Sequence, residues 1–323
     1  MIPPAYSRIH GHEVAIRFLQ NVVRAGRPAP AYLLEGPPSV GKRAVAVEFA
    51  RSLLCPRRGE DACPDCRKAA EGTHPHLYQL QRDPPKQNIA VEQVKEMQSA
   101  LALKPMFPSP RVILIDEADT LSEEGMNALL KTLEEPPLRS IFVLIASAPE
   151  TLLPTIRSRC QRVRFSALDE TEVRAALAAA GFPADHALLA ARLCGGRIGQ
   201  ALSRQEEISA LKARLDDALG RLHRGDFNPL VESVTRIRNP RQARAEAEQL
   251  LDLLLLSFRE MFRARVAGVA PDPVLVPEAA AGAFGSLPEE ELSRRLEILL
   301  DHRRFLDLNA NVGLTVENAL LRL

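Results

Sequence analysis

Between residues 31 and 165, short aliphatic runs alternate with longer segments of helical period, and this alternation strongly constrains the fold. The runs at 112–116 and 141–147 are almost continuously apolar, as expected for parallel strands that are covered by helices on both faces. The pattern therefore predicts an α/β domain. The predicted strands are 31–35, 76–80, 112–116, 141–147 and 162–165, and the helices between them are 42–54, 91–103 and 123–135.

The strand signal ends near residue 166, and only helical patterns follow it. A chain of 323 residues is longer than one domain usually is. We expect an α/β domain at 1–166, a small helical lid at 167–207 and an all-helical domain at 208–323. Predicted helices in this second half lie at 169–180, 184–194, 197–206, 240–262 and 289–306, with a break in the Pro/Ala/Gly-rich stretch 267–285.

The charges of the chain balance almost completely, with 42 Lys and Arg against 41 Asp and Glu. A net charge of +1 provides no general positive field for nucleic acid, so any such contact must come from a local patch. No apolar run approaches the ~20 residues that span a bilayer. The first residues do not form a charged region followed by an apolar core. These features predict a soluble, cytoplasmic protein without a membrane partner.

A glycine-rich loop joins the first predicted strand to the next helix, which is the context of a phosphate-binding P-loop. Gly36 and Gly41 allow backbone amides to converge on a phosphate, and Lys42 supplies positive charge to its outer oxygens. The motif requires Ser or Thr at its eighth position, where this chain has Arg43, whose guanidinium has no lone pair for Mg²⁺. We expect weak binding of ATP or ADP without Mg²⁺, and little hydrolysis. The alternative is a purely structural turn.

The aliphatic strand 112–116 ends in acidic residues, which is the form of a Walker B segment. Asp116 could hold Mg²⁺, and Glu117 could polarise a water molecule for attack on a γ-phosphate. The alternative is that these acids only cap the next helix. A P-loop upstream in the same domain favours the nucleotide-site interpretation.

Two further segments, together with the P-loop, resemble a known family. They are residues 129–137, Leu-Leu-Lys-Thr-Leu-Glu-Glu-Pro-Pro, and residues 153–160, Leu-Pro-Thr-Ile-Arg-Ser-Arg-Cys. They are similar to the bacterial DNA polymerase III clamp-loader subunits of the AAA+ class. The resemblance is dense over residues 8–206. Beyond residue 208 only helical character and length agree.

This resemblance implies a AAA+ α/β domain with a parallel five-stranded sheet, followed by the lid and by a helical collar for oligomerisation at 208–323. It also implies that the chain works within a DNA polymerase III holoenzyme. The partners it implies are the gamma/tau and delta subunits, the sliding clamp, and primer-template DNA that is reached through the assembled complex.

The resemblance also assigns roles to two arginines. Arg159, in the Ser-Arg-Cys segment, is the candidate arginine finger for ATP bound by a neighbouring subunit, where a planar and permanently charged fork stabilises the transition state. The alternative is that Arg159 pairs with a surface carboxylate. Arg197 follows Gly196 where the family has a sensor arginine for the chain's own nucleotide. A structural role for Arg197 is equally compatible with the sequence.

Three features favour a non-hydrolysing stator subunit over an ATP-hydrolysing motor subunit of the gamma/tau type or another AAA+ ATPase. Arg43 replaces the hydroxyl that binds Mg²⁺, Ala-Ser-Ala at 146–148 occupies the sensor-1 region, and no long extension follows the collar. The intact pair Asp116 and Glu117 argues for the motor. We give Arg43 more weight, because a site can lose one essential residue and keep its neighbours.

Cys55, Cys63 and Cys66 lie where the family carries a four-cysteine zinc module, here residues 55–76. Tetrahedral structural zinc needs four ligands, and Ala69 stands where the fourth cysteine is expected. We expect a structural zinc site with His74 as the fourth ligand, with Asp65 and His76 as other donors nearby. Three reduced thiols without metal are the alternative.

Overall fold

The computed structural model describes most of the chain. The described residues are 6–7, 9–57, 63–83, 88–103, 109–203, 205–308 and 310–323. By its internal contacts the chain divides into two compact units. The first ends at Ala176 and also includes Gly195–Gln200, and the second comprises Leu177–Cys194 and Ala201–Leu323.

The first unit contains the predicted five-stranded sheet, in which every pair of neighbouring strands is parallel. The strands are β1 (Ala31–Glu35), β2 (Leu77–Leu80), β3 (Arg111–Ile115), β4 (Ser140–Ala146) and β5 (Gln161–Arg164), in the spatial order β2-β3-β4-β1-β5. The α/β fold class expected from the sequence is therefore confirmed. Strand β4 lies between β1 and β3, so the segments that follow these three strands meet at one edge of the sheet.

Successive side chains of the strands enter two separate cores, one on each face of the sheet, as strand geometry requires. Leu34 packs with Phe49 of the helix after β1 on one face. Leu33 and Leu129 belong to the core on the opposite face. Each fully buried side chain of this size stabilises the fold by about 1.5–3 kcal/mol. The double cover explains why the stretches 31–34, 112–115 and 141–146 of the central strands are almost continuously apolar.

Outside the sheet, most of the described residues are helical, and the predicted helix 42–54 has the bounds expected from the sequence. The expected break at 267–285 is wrong in part, because an alanine-rich helix begins there after Pro277. Alanine has the highest helix propensity.

Among the described helices, none is both long and apolar enough to cross a membrane. The helices are α1 (Glu13–Ala25), α2 (Lys42–Leu54), α3 (Pro64–Ala70), α4 (Val91–Ala102), α5 (Glu123–Glu134), α6 (Pro154–Arg159), α7 (Glu170–Ala179), α8 (Ala184–Cys194), α9 (Ile198–Leu202), α10 (Gln205–His223), α11 (Asn228–Thr235), α12 (Pro240–Ala267), α13 (Glu278–Phe284), α14 (Glu289–Asp307) and α15 (Val312–Leu321).

The second unit is entirely helical in its described part. Helix α12 is its longest element, and Leu250, Leu254 and Phe258 on it are fully or almost fully buried. Residues of the predicted lid at 167–207 occur in both units. The separate lid and collar domains stay a prediction.

The corner between β1 and the glycine-rich loop has room only for glycine. The φ of Gly36 is 148°, and a Cβ added there would lie 2.1 Å from the carbonyl oxygen of Phe165. The amide of Phe165 donates to the carbonyl oxygen of Glu35 at 2.8 Å. The two backbones therefore cannot separate without loss of a bond that continues the β1–β5 pairing, and this contact fixes where the loop begins.

We predict that Gly36→Ala lowers the free energy of unfolding by more than about 2 kcal/mol, because it combines a backbone clash with a strained φ. Gly26→Ala is the matched control. Gly26 also has a positive φ, 65°, but a Cβ there meets nothing within 4 Å, so its cost is about 1 kcal/mol. Urea unfolding followed by circular dichroism compares the two. Equal losses would contradict the tight corner.

Candidate functional site

The candidate site is a cavity of about 300 Å³ at the edge of the sheet where β1, β3 and β4 end. The segments after these strands supply the glycine-rich loop, the two acidic residues and Ser147. Helix α9 contributes the backbone of Gly199. The lining residues are Pro38, Ser39, Gly41, Lys42, Arg43, Asp116, Glu117, Ile145, Ser147 and Gly199.

Lys42 is the most enclosed charge of the site, with only 5% of its surface exposed. Its ammonium donates to the carbonyl oxygens of Gly36 and Pro37, both at 2.6 Å, and to Ser147 Oγ at 3.0 Å. Burial lowers the pKa of Lys42, and the nearby carboxylates of Asp119 and Asp116 oppose that shift. The loop is thus wrapped around the ammonium group, with Gly41 as the residue that precedes α2.

Arg43 points across the site to the end of β3. Its Nη1 donates to Asp116 Oδ2, and its guanidinium nitrogens lie 3.5 Å from the amide oxygens of Gln79 and Gln81. The side chain of Asp116 is 18% exposed in this ion pair. The carboxylate that the Walker B pattern would offer to a metal is therefore held by a permanent cation of the chain itself.

These residues do not fit Mg²⁺. The metal prefers octahedral oxygen ligands, and Arg43 supplies no lone pair where the motif places a hydroxyl. The oxygen of Asp116 that could replace it already accepts a hydrogen bond from Arg43. A divalent cation placed there would also be repelled by the guanidinium and the ammonium of Lys42.

Glu117 is likewise paired. Its carboxylate accepts hydrogen bonds from Arg82 Nε at 2.8 Å and from Arg82 Nη2 at 3.1 Å. The residue has a φ of 49°, a left-handed conformation that is rare for a side chain of this size. A carboxylate engaged by two N–H groups is a weaker acceptor for the proton of an attacking water.

The proposed finger, Arg159, ends helix α6 and is exposed. Its Nη2 donates to Glu134 Oε1 at 2.7 Å, and its Nη1 donates to the carbonyl oxygen of Thr155 at 3.1 Å. Glu134 belongs to the Glu-Glu-Pro-Pro segment at the end of α5. In this chain the arginine thus has a surface carboxylate as its partner, the contact considered above as the alternative to a catalytic role.

Arg197 is half-buried and directly precedes α9. The cavity is lined by Gly199 rather than by Arg197. The amide of Gly199 donates to the carbonyl oxygen of Ser39 at 2.8 Å, so the start of α9 is joined to the glycine-rich loop by backbone.

The predicted cysteine cluster forms at the junction of α2 and α3. The sulfur atoms of Cys55, Cys63 and Cys66 all lie within 4.8 Å of one another, and the group could hold a metal ion. Thiolates bound at about 2.3 Å to tetrahedral zinc are ~3.8 Å apart, so three thiols at this spacing fit zinc. The amide of Arg57 donates to Cys55 Sγ at 3.3 Å. Burial and the neighbouring thiols raise the pKa of Cys66 to about 12, a shift that a bound cation would oppose.

His74 is buried near this cluster but is not grouped with the three thiols. Its Nδ1 accepts a hydrogen bond from the amide of His76 at 3.1 Å, and its Nε2 lies 3.8 Å from Asp65 Oδ1. Burial lowers the pKa of His74, against the effect of the Asp65 carboxylate. Coordination by His74 therefore requires one of these two contacts to be exchanged for the metal. Ala69, at the position of the missing cysteine, is buried in the core.

Comparison with known proteins decides the family. A family described as "DNA polymerase III, delta subunit" matches residues 11–169. The Escherichia coli protein named DNA polymerase III subunit delta' (delta prime) is 32% identical over 264 residues, which are 80% of this chain and 78% of that protein. The chain belongs to the DNA polymerase III delta prime family.

Two other delta prime proteins differ in the extent of the match. The Bacillus subtilis protein is 26% identical over 95% of this chain and 94% of its own length. The Pseudomonas aeruginosa protein is 39% identical, but over 41% of this chain and 42% of its own length. Tau/gamma subunits also match, over 54% of this chain. Delta prime similarity thus extends through the helical second half, which the sequence alone could relate to the family only by its helices.

Several residues of this delta prime site are not indicated by any motif. Asp119 Oδ2 accepts from the amides of Ser147 at 3.1 Å and Ala148 at 2.9 Å, which fixes the segment after β4 beneath Lys42. Arg82 and Glu134 act as ion-pair partners of the motif residues. The only sequence signal for them is charge at the end of a strand or helix, and such charges are common on surfaces.

We predict that Arg159→Ala changes the free energy of unfolding by no more than about 1 kcal/mol, because it removes one exposed ion pair. Glu134→Ala, which removes the other partner, should have an equally small effect. Glu35→Gln should cost more, since this buried carboxylate holds both Arg162 and Arg164. Thermal melting of the three variants checks this. A loss for Arg159→Ala equal to that of Glu35→Gln would make Arg159 a structural residue.

Proposed function

We propose that this delta prime chain is the stator of the DNA polymerase III clamp loader: it hydrolyses no ATP itself and completes the ATP site of a neighbouring subunit with Arg159. The observation that carries the proposal is the ion pair between Arg43 and Asp116. It removes the two ligands that Mg²⁺ needs in a P-loop ATPase. Among the residues with a proposed role in ATP hydrolysis, the exposed Arg159 then remains.

The exposed position of Arg159 supports a role in trans. Its contact with Glu134 is worth about 0–1 kcal/mol, as exposed ion pairs are. A finger supplied to another subunit accelerates phosphoryl transfer by about 10³–10⁵, which corresponds to ~4–7 kcal/mol. The gain at a partner's γ-phosphate therefore exceeds the cost of leaving Glu134. The guanidinium needs no change in protonation to make this exchange.

The assembly that follows is a clamp loader in the cytoplasm. Its other members are the gamma/tau and delta subunits, and it acts on the sliding clamp and on primer-template DNA. Within this chain, residues 167–207 form the lid and residues 208–323 form the collar. Arg197 is assigned to the lid, directly before α9. The amide of Gly199 in α9 donates to the carbonyl oxygen of Ser39, and this bond links the proposed lid to the glycine-rich loop.

A motor subunit of the gamma/tau type is the second candidate. It is favoured by the presence of Lys42, Asp116 and Glu117 around one cavity. Both acids are nevertheless paired with arginines, so the motor would have to break two ion pairs before each turnover.

We predict that the purified chain, without partner subunits, turns over no ATP above background in the presence of Mg²⁺. The reason is that Arg43 and Arg82 occupy the two acids that hydrolysis requires. A phosphate-release assay measures this directly. Turnover on the order of 1 s⁻¹, at the low end of ordinary enzyme rates, would establish the motor instead.

We predict that the Arg159→Ala variant joins the complex normally. The ATPase rate of the complex should fall by the contribution of one ATP site, because the neighbouring site that Arg159 serves loses its arginine finger. Clamp loading, which needs every site, should fall further. Arg17→Ala is the matched control, since Arg17 also forms an exposed ion pair, with Glu13. Reconstituted complexes assayed for ATPase and loading give the answer. If both variants load clamps as fast as the parent, Arg159 is not a finger.

The cysteine cluster is proposed as a structural zinc site, with Cys55, Cys63 and Cys66 as thiolate ligands and His74 as the fourth. Support comes from the convergence of the three sulfur atoms and from the burial of His74 beside Asp65. A carboxylate next to a ligand imidazole is a common outer-shell partner that orients the ring. The metal would hold the end of α2 to the start of α3.

Elemental analysis of protein purified without chelator should find about one zinc per chain, and Cys63→Ser should lose it, because the variant keeps only three of the four ligands that structural zinc needs. Cys194→Ser, which changes a buried cysteine outside the cluster, should keep it. His74→Ala should weaken zinc binding more than Asp65→Ala, which only removes the outer partner. If the parent protein contains no zinc, the three cysteines are structural thiols. If His74→Ala and Asp65→Ala bind zinc equally well, His74 is not a ligand.

A further inference from the structure

Four arginines and no acidic residue occupy positions 157–164, the segment that joins α6 to β5. Among the residues that the structure describes, one carboxylate contacts Arg159. Arg162 and Arg164 share a second one, that of Glu35. The segment therefore has an excess of positive charge, although the whole chain is almost neutral. A local excess of this kind bears on association with a partner rather than on the fold.

The carboxylate of Glu35 is buried at the end of β1. Arg162 contacts both of its oxygens, with Nε 3.1 Å from Oε1 and 3.0 Å from Oε2, and Nη2 of Arg162 is 2.9 Å from Oε1. Arg164 reaches Oε1 with its Nε alone, at 3.2 Å. One guanidinium is enough to neutralise a single buried carboxylate, so the charge of Arg164 is the surplus.

The outer end of Arg164 is open to solvent, and 78% of its side chain is exposed. Within the described part of the chain, its Nη1 and Nη2 donate no hydrogen bond. These two nitrogens form the planar end of the guanidinium, which binds an acidic group through two parallel hydrogen bonds. The end of this side chain therefore suits an acidic group that comes from another molecule.

Strand β5 presents these arginines at an edge of the sheet. It pairs with β1 on one side, and no strand of the described ranges covers its other side. The register sets Arg164 beside Glu35, which lies on the same face of β1 as Leu33, two positions earlier. Leu33 shares a core with Ile156 of α6, and α6 ends in Arg159. The surplus charge is therefore on the face of the sheet that carries the proposed finger.

We propose that Arg164, with Arg162 beside it, docks on an acidic surface of the neighbouring subunit, formed by carboxylate side chains near the ATP site that Arg159 serves. This inference rests on the proposed stator function. A rise of ~3.3 Å per residue places Arg164 about 10 Å beyond Gln161, where β5 begins. Arg164 is thus too far along the strand to share a phosphate with Arg159. Its position on the face of the finger favours the neighbouring protein over DNA as its partner.

The rate at which the full chain associates with the gamma/tau and delta subunits, at low and at high salt, tests this. Arg164→Gln should lower the association rate constant about threefold at low salt and Arg164→Glu about tenfold, because charges at the rim of an interface act mainly on association. High salt should remove both differences. Arg164→Lys keeps the charge and should associate like the parent. Arg162 remains to neutralise Glu35, so the variants should fold, which thermal melting checks.

Arg17→Gln is the matched control, since Arg17 is an exposed arginine of the first unit with an ion pair of its own, and 71% of its side chain is exposed. It should associate like the parent. Equal rates for Arg164→Glu and the parent, or an equal loss for Arg17→Gln, would overturn the inference. Normal association of Arg164→Glu with weaker binding of primer-template DNA by its complex would also overturn it, because DNA would then be the partner.

Failure of the stator function gives a different result from failure of this docking surface. If the complex that contains Arg159→Ala keeps its full ATPase rate, Arg159 is not a finger, whatever the association rates of the Arg164 variants. If Arg159→Ala lowers the ATPase rate and Arg164→Glu associates normally, the stator function stands and only the docking surface is wrong. A parent chain that does not associate at all would contradict both.

Discussion

The ion pair between Arg43 and Asp116 is the interaction on which the rest of the site depends. It joins the first turn of α2 to the end of β3 and places a permanent cation where a P-loop ATPase has Mg²⁺. Arg43 cannot become a ligand for Mg²⁺ by losing a proton, since its guanidinium stays protonated at any physiological pH. The proposed absence of ATP hydrolysis rests on this one side chain, although the fold around it is intact.

In the proposed stator, the fold positions the exposed Arg159. The sheet order that brings β1, β3 and β4 together also places α5 and α6 side by side, and these helices present Glu134 and Arg159 to solvent. The proposed stator uses these same strands and loops to place Arg159 toward a neighbouring subunit. The glycine-rich loop, with the buried Lys42, is retained as part of this frame.

The strands and the helix after β1 could be predicted from the sequence, because continuous aliphatic runs and a Gly-Lys loop have few other structures available. The partners of the charged residues could not. Arg43 and Asp116 are 73 positions apart, and only the spatial order of the strands brings them together. The contacts of His74 depend in the same way on how α3 meets β2, and the pattern at 64–70 is too short to predict that helix. Helix α13 was missed because Pro and Gly flank its alanines.

A double-mutant cycle on Arg43 and Asp116 tests the central claim most directly. Arg43→Thr, Asp116→Asn and the double variant would be unfolded in urea, and the coupling energy taken from the four free energies of unfolding. The account predicts a favourable coupling of about 1 kcal/mol, the upper end for an ion pair that is partly exposed. A coupling indistinguishable from zero would mean that the two side chains do not interact, and Asp116 would then be free to bind a metal.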